Sequence, residues 1–131
     1  MIRGGEKLAG VHPDLVRVVH AAGAEWDLVI LEGVRSLARQ KEMVAQRKSK
    51  TLDSKHLKQS DGFVHAVDLA FYPVDWNDTR RFYYMGGVLR GVALSLGVKL
   101  RWGGDWDSDT EIKDQLFNDL VHVEVSVSQN S

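Results

Sequence analysis

The tightest constraint on this chain comes from three side chains that lie far apart in sequence. His56 stands in Ser54-Lys55-His56, Asp68 in Ala66-Val67-Asp68-Leu69-Ala70, and His122 in Asp119-Leu120-Val121-His122-Val123-Glu124. Two imidazoles and one carboxylate are a usual ligand set for a catalytic zinc, whose fourth position is left to water or substrate. Such an ion acidifies its bound water and polarises a carbonyl, which is the chemistry of peptide hydrolysis. A fold that uses this set must bring the middle of the chain and its C-terminal segment to one point.

Strand periodicity decides between competing histidines. Side chains alternate along an extended segment, so Ala66 and Asp68 share one face while His65 and Val67 share the other. His65 therefore points away from Asp68, and His56, in a polar loop, is the expected ligand. The same alternation groups Leu120, His122 and Glu124. Asp119 is expected just before that strand, three residues from His122. A carboxylate beside a zinc-bound water acts as general base and then as proton donor to the leaving amine. Asp119 is the candidate and Glu124 its rival; the competing reading of Asn118-Asp119 is a turn. His12 and His20, on or beside the first helix, read as ordinary satisfied residues with no carboxylate partner in sequence.

The 131 residues suit a single domain, residues 1–131, with one ordinary core. Hydrophobic residues make up 44% and charged residues 27%, which excludes a disordered or membrane chain. A formal net charge of -1 gives no global basic field, so nucleic acid is not an expected partner. Basic residues do gather between Arg35 and Lys58; a solvated helix face and loop is the ordinary reading, attraction to an anionic polymer the minority one. With no cysteine there are no disulfides and no thiolate ligands. No apolar run reaches the length of a membrane span, and Met1 to Lys7 holds no apolar signal core.

Pro13-Asp14 opens a helical pattern, with Leu15, Val18, Val19 and Ala22 on one face and Gly23 as its stop. Asp27 to Leu31 reads as a buried strand. Ser36 caps a second helix through about Arg47, with Leu37, Met43 and Val44 inward. The loop 48–61 leads to a strand over Ala66–Phe71. Asn77 or Asp78 caps the longest helix, which Gly97 ends. Leu100–Trp102 and His122–Val127 complete a small sheet. Helices and strands mix without regular alternation, so the expected class is α+β, a small, largely antiparallel sheet packed by helices.

The acids Asp105, Asp107 and Asp109 alternate as in the opening of a calcium loop. The central glycine and terminal glutamate of an EF-hand are missing, since position 116 is leucine. A solvated acidic loop is the main expectation and a weak Ca2+ site the second.

Taken in order, Glu32-Gly33-Val34-Arg35-Ser36, Ser54-Lys55-His56, Ala66-Val67-Asp68-Leu69-Ala70, Asp75-Trp76-Asn77-Asp78, the run Leu96 to Trp106 and His122-Val123-Glu124 resemble the D-Ala-D-Ala carboxypeptidase and hedgehog-like zinc peptidases. Within these, the chain is most similar to phage endolysins that are L-alanyl-D-glutamate peptidases. The resemblance implies that family's fold, with His56, Asp68 and His122 on Zn2+ and Asp119 as catalytic carboxylate. It also implies Arg35 at the oxyanion and Ser54 at the substrate. The family pattern Ser-x-His-x-x-Gly-x-Ala-x-Asp is interrupted here: about five residues are inserted over Lys58–Val64, and Val64 stands in place of the glycine.

The expected substrate is the stem peptide of bacterial peptidoglycan, cut between L-alanine and D-glutamate. The expected protein is a monomeric endolysin without a separate wall-binding domain. It would stay in the host cytoplasm until a holin releases it to the periplasm. The alternatives are a D-Ala-D-Ala carboxypeptidase or dipeptidase, and a non-catalytic hedgehog-type zinc module.

Overall fold

The computed structural model describes residues 1–46, 54–105 and 119–126. In chain order the elements are β1 (Ile2–Arg3), a 3-10 turn (Gly5–Leu8), α1 (Pro13–Gly23), β2 (Leu28–Glu32) and α2 (Leu37–Ala45). There follow β3 (Ala66–Phe71), α3 (Thr79–Ser95), β4 (Leu100–Gly103) and β5 (Asp119–Val125). The strands form one sheet in the order β1-β2-β3-β5-β4. Among the described residues, only β1 runs parallel to its neighbour; β2–β3, β3–β5 and β4–β5 are antiparallel. The α+β, largely antiparallel expectation therefore holds, with β1 as an unanticipated edge.

Local chemistry explains the helix ends. His12 Nδ1 accepts the Asp14 N–H at 3.1 Å, so a histidine caps α1 ahead of Pro13. Ser36 caps α2 and Asp78 caps α3, each through its side-chain oxygen. Gly97 follows α3 in the left-handed conformation, at φ 72°.

Register divides the sheet into two faces. Leu28 pairs with Phe71, Ile30 with Leu69, Val67 with Val123 and Trp102 with Val123. These side chains share the face against which α1 and α3 pack, joined by Leu15, Val18, Val19, Met85 and Leu89. Each fully buried aliphatic side chain there contributes about 1.5–3 kcal/mol. The other face carries Ala66, Asp68, Ala70, His122 and Glu124.

The helix α2 corrects one expectation. Leu37 is exposed, Met43 and Val44 are half-buried, and the residue α2 turns fully inward is Gln40. Its amide has a charged partner inside, described below, which an aliphatic face would not serve. Arg47 and Val127, expected ends of α2 and the last strand, lie outside the described residues.

Trp102 fixes the distance between α3 and β4. A Cβ on Gly86 would stand 2.4 Å from the indole, closer than atoms approach, whereas one on Gly87 meets nothing within 4 Å. Gly86→Ala should therefore destabilise by about 1–3 kcal/mol through overpacking. Gly87→Ala, one position along the same helix, should stabilise by about 0.5–1 kcal/mol. Urea denaturation of the two variants checks the contrast.

Candidate metal centre

Pairing of β3 with β5 sets Asp68 directly opposite His122. His56 arrives from the loop before β3, where its N–H is held by Ser54 Oγ at 3.1 Å. His56 Nε2 lies 3.0 Å and His122 Nδ1 3.2 Å from the same Asp68 oxygen. One ligand atom from each of the three residues lies within 4.8 Å of the others. His56 and His122 are buried, and Asp68 is half-buried.

The far nitrogens of both rings are committed. His56 Nδ1 donates to Gly33 O at 2.9 Å, and His122 Nε2 bonds Glu124 Oε1 at 2.9 Å. A metal-bound imidazole places its other N–H on a carbonyl or carboxylate in this way, which fixes tautomer and ring plane. The nitrogens aimed at Asp68 are then the ones available to a cation. The residues fit a divalent ion in number, donor type and preorganisation.

Burial pushes the Asp68 carboxyl up, but hydrogen bonds from His122 and His56 outweigh it and hold Asp68 far below the carboxylate range. Burial lowers His122, and its bonds to Asp68 and Glu124 reverse this, raising it to about 9. Asp119 goes the other way. Burial first, and the Asp68 charge second, raise it above the usual aspartate value. Its Oδ2 lies 3.9 Å from His122 Nδ1. Asp119 is the first residue of β5 rather than preceding it, and a register break opposite Gly103 sets its position. A Cβ at Gly103 would stand 1.8 Å from Asp119 O, so this approach requires glycine. The indole N–H of Trp102 donates to Leu120 O at 2.9 Å and pins the same stretch.

The family model described as phage L-alanyl-D-glutamate peptidase matches residues 2–126. The chain belongs to this family. It is 30% identical over 128 residues to the L-alanyl-D-glutamate peptidase of Escherichia phage T5, covering 92% of each sequence. Among solved structures it is similar to the L-Ala D-Glu endopeptidase ChiX of Serratia marcescens, with a TM-score of 0.76 and 33% identity. That match covers 96% of this chain and 90% of ChiX.

His65 does not reach Asp68: its Nε2 bonds Asp61 Oδ2 at 2.7 Å, inside the inserted segment. His12, which has no carboxylate partner near it in sequence, faces the same oxygen at 3.8 Å. His20 is exposed. Glu124, the rival base, is engaged with His122 and with Arg101 at 3.6 Å. Ser54 spends its hydroxyl on the His56 N–H. Asp105 is buried and paired with Arg90 at 3.0 Å, not presented on a solvated loop. Asp107 and Asp109 lie outside the described residues.

Arg35 is not an ordinary helix-start arginine. It is buried, and Glu32, which sequence reasoning missed, takes it in a two-pronged ion pair with both bonds at 2.7 Å. The spacing Glu32-x-x-Arg35 was the one available signal. This bond to Arg35 is the main reason Glu32 lies below the ordinary glutamate value.

Glu124→Ala removes one hydrogen-bond partner of the His122 ring and should weaken affinity for a divalent metal by about 10- to 100-fold. Glu124→Gln, which keeps an acceptor, should lose less; competition with a chromophoric chelator measures both. For Glu32, a depressed folded pKa gives stability that is present above the ordinary value of 4.5 and lost as pH falls through the folded one. Wild-type stability should therefore drop relative to Glu32→Gln as pH falls below 4.5, in urea titrations run at stepped pH.

Proposed function

We propose that this protein is a zinc endopeptidase that hydrolyses the L-alanyl-D-glutamate bond in the stem peptide of bacterial peptidoglycan. The observation that carries this reading is the convergence of His56, Asp68 and His122 with Asp119 beside them, in a chain of the phage L-alanyl-D-glutamate peptidase family. Zinc, when bound by these three residues, supplies Lewis acidity toward the scissile carbonyl and lowers the pKa of water.

The chain's own groups do the rest. Asp119 takes a proton from the attacking water and returns it to the leaving amine. Burial raises its pKa above the ordinary aspartate value, which makes it a better proton acceptor than an exposed aspartate. Arg35 stabilises charge on the carbonyl oxygen in the transition state. Ser54 holds the His56 backbone and borders the substrate. Glu124 and Gly33 O keep the two imidazoles aimed.

The protein acts as a monomeric endolysin that reaches the wall after a holin opens the inner membrane. Among the described residues, no helix is long and apolar enough to cross a membrane.

Mass analysis of fragments from purified peptidoglycan treated with the zinc-loaded protein tests the bond assignment. New N-terminal D-glutamate is expected. Released D-alanine would instead identify a carboxypeptidase, and intact peptidoglycan would sink both readings. Asp119→Ala should retain zinc yet lose about 10²- to 10⁴-fold in turnover. Full activity in that variant would remove Asp119 from the proton path.

A further inference from the structure

Arg35 is 7% exposed and Gln40 0% exposed, although both are polar. Arg35 Nε and Nη2 donate to the two oxygens of Glu32, and Nη1 donates to Gln40 Oε1, all at 2.7 Å. A guanidinium carries five N–H donors in one rigid plane. These bonds use three. One N–H on Nη1 and one on Nη2 have no protein acceptor among the described residues.

The clamp is joined to the metal ligands at three points. Glu32 pairs with Asp68 across β2 and β3, just past a register break after Ile30. The Arg35 backbone N–H donates to His56 O at 2.8 Å. Gly33 O, between them in sequence, receives the His56 ring N–H. Any tilt of the segment 32–35 is thereby shared with His56 and Asp68.

We propose that Glu32, backed by Gln40, is a positioning residue that fixes the plane of the Arg35 guanidinium so that its two unspent N–H groups meet the oxyanion of the scissile carbonyl. This rests on the role given to Arg35 above. Two physical points favour it over a purely structural ion pair. Arg35 is buried and Glu32 half-buried, and a pair so placed adds little net stability compared with apolar packing, because desolvation offsets its attraction. A carboxylate so close also weakens the cation's field at the oxyanion, so the arrangement favours direction over charge. Directed donors in a site shielded from water are what stabilise charge formed only in the transition state.

The test uses the full chain, zinc-loaded, with a soluble stem peptide containing the L-Ala-D-Glu bond. Rates are referred to the folded, metal-loaded fraction. Glu32→Gln should lower kcat by about 10- to 100-fold while KM changes by less than about threefold, because the contact matters only in the transition state. In an Arg35→Lys background, where no fork remains to be aimed, Glu32→Gln should cost no further activity. Wild-type kcat in Glu32→Gln overturns the proposal, as does an equal loss in both backgrounds. If Arg35→Lys is itself fully active, the reading of Arg35 fails first. If Arg35→Lys is impaired and Glu32→Gln is not, only the clamp fails. Should Glu32→Gln not fold, Gln40→Met removes one acceptor at similar volume. A kcat loss of about tenfold then supports the clamp, and an unchanged kcat overturns it.

Discussion

The antiparallel pairing of β3 with β5 carries everything else at the site, since it sets Asp68 and His122 opposite each other on the face away from α1 and α3. Side chains alternate with period two, so a slip of one residue would send Asp68 and His122 into the apolar core and bring Val67 and Val123 out. That slip is opposed by the burial of Val67, Leu69, Val123 and Val125 against the helices. The apolar face therefore enforces the polar one. The register break beside Gly103 then supplies what regular alternation cannot, bringing Asp119 toward His122 although the two differ in parity.

Charge is concentrated at this point to a degree that an apolar core alone does not support. Asp68, Asp119, Glu124 and Glu32 lie around two imidazoles and one guanidinium. Each buried charge has a partner at hydrogen-bonding distance or is pushed toward neutrality, as Asp119 is. A divalent cation is the counter-charge such a cluster calls for. Gly33 O and Glu124 occupy the outer nitrogens, so each ring turns its other nitrogen toward Asp68.

Much of this was legible in the sequence, and the reasons differ by element. Period-two alternation sufficed to prefer His56 over His65, because a short strand leaves little freedom to its side chains. Caps and stops located α1, α2 and α3 to within a few residues, since Pro13, Ser36, Asp78 and Gly97 act locally. What failed was nonlocal. Hydrophobicity points Leu37, Met43 and Val44 inward on α2, whereas it is Gln40 that goes fully inside, to meet Arg35. Glu32 was overlooked because its partner becomes visible only once the chain bends after β2. The Asp61 contacts with His65 and His12 depend on a loop whose path no periodicity encodes.

That loop has a consequence for how the family motif is read. The extra residues between His56 and Asp68 leave the sheet and return to it under restraint. Val64 bridges Val11, His12 N–H donates to Val64 O, and the His65 N–H closes on Lys55 O at 2.8 Å. Asp61 ties the outer turn to His65 and faces His12 at the start of α1. The backbone bond between Lys55 and His65 closes the neck of the excursion between His56 and Asp68. The extra residues lie beyond that bond, so their length is taken up in the excursion rather than between His56 and Asp68.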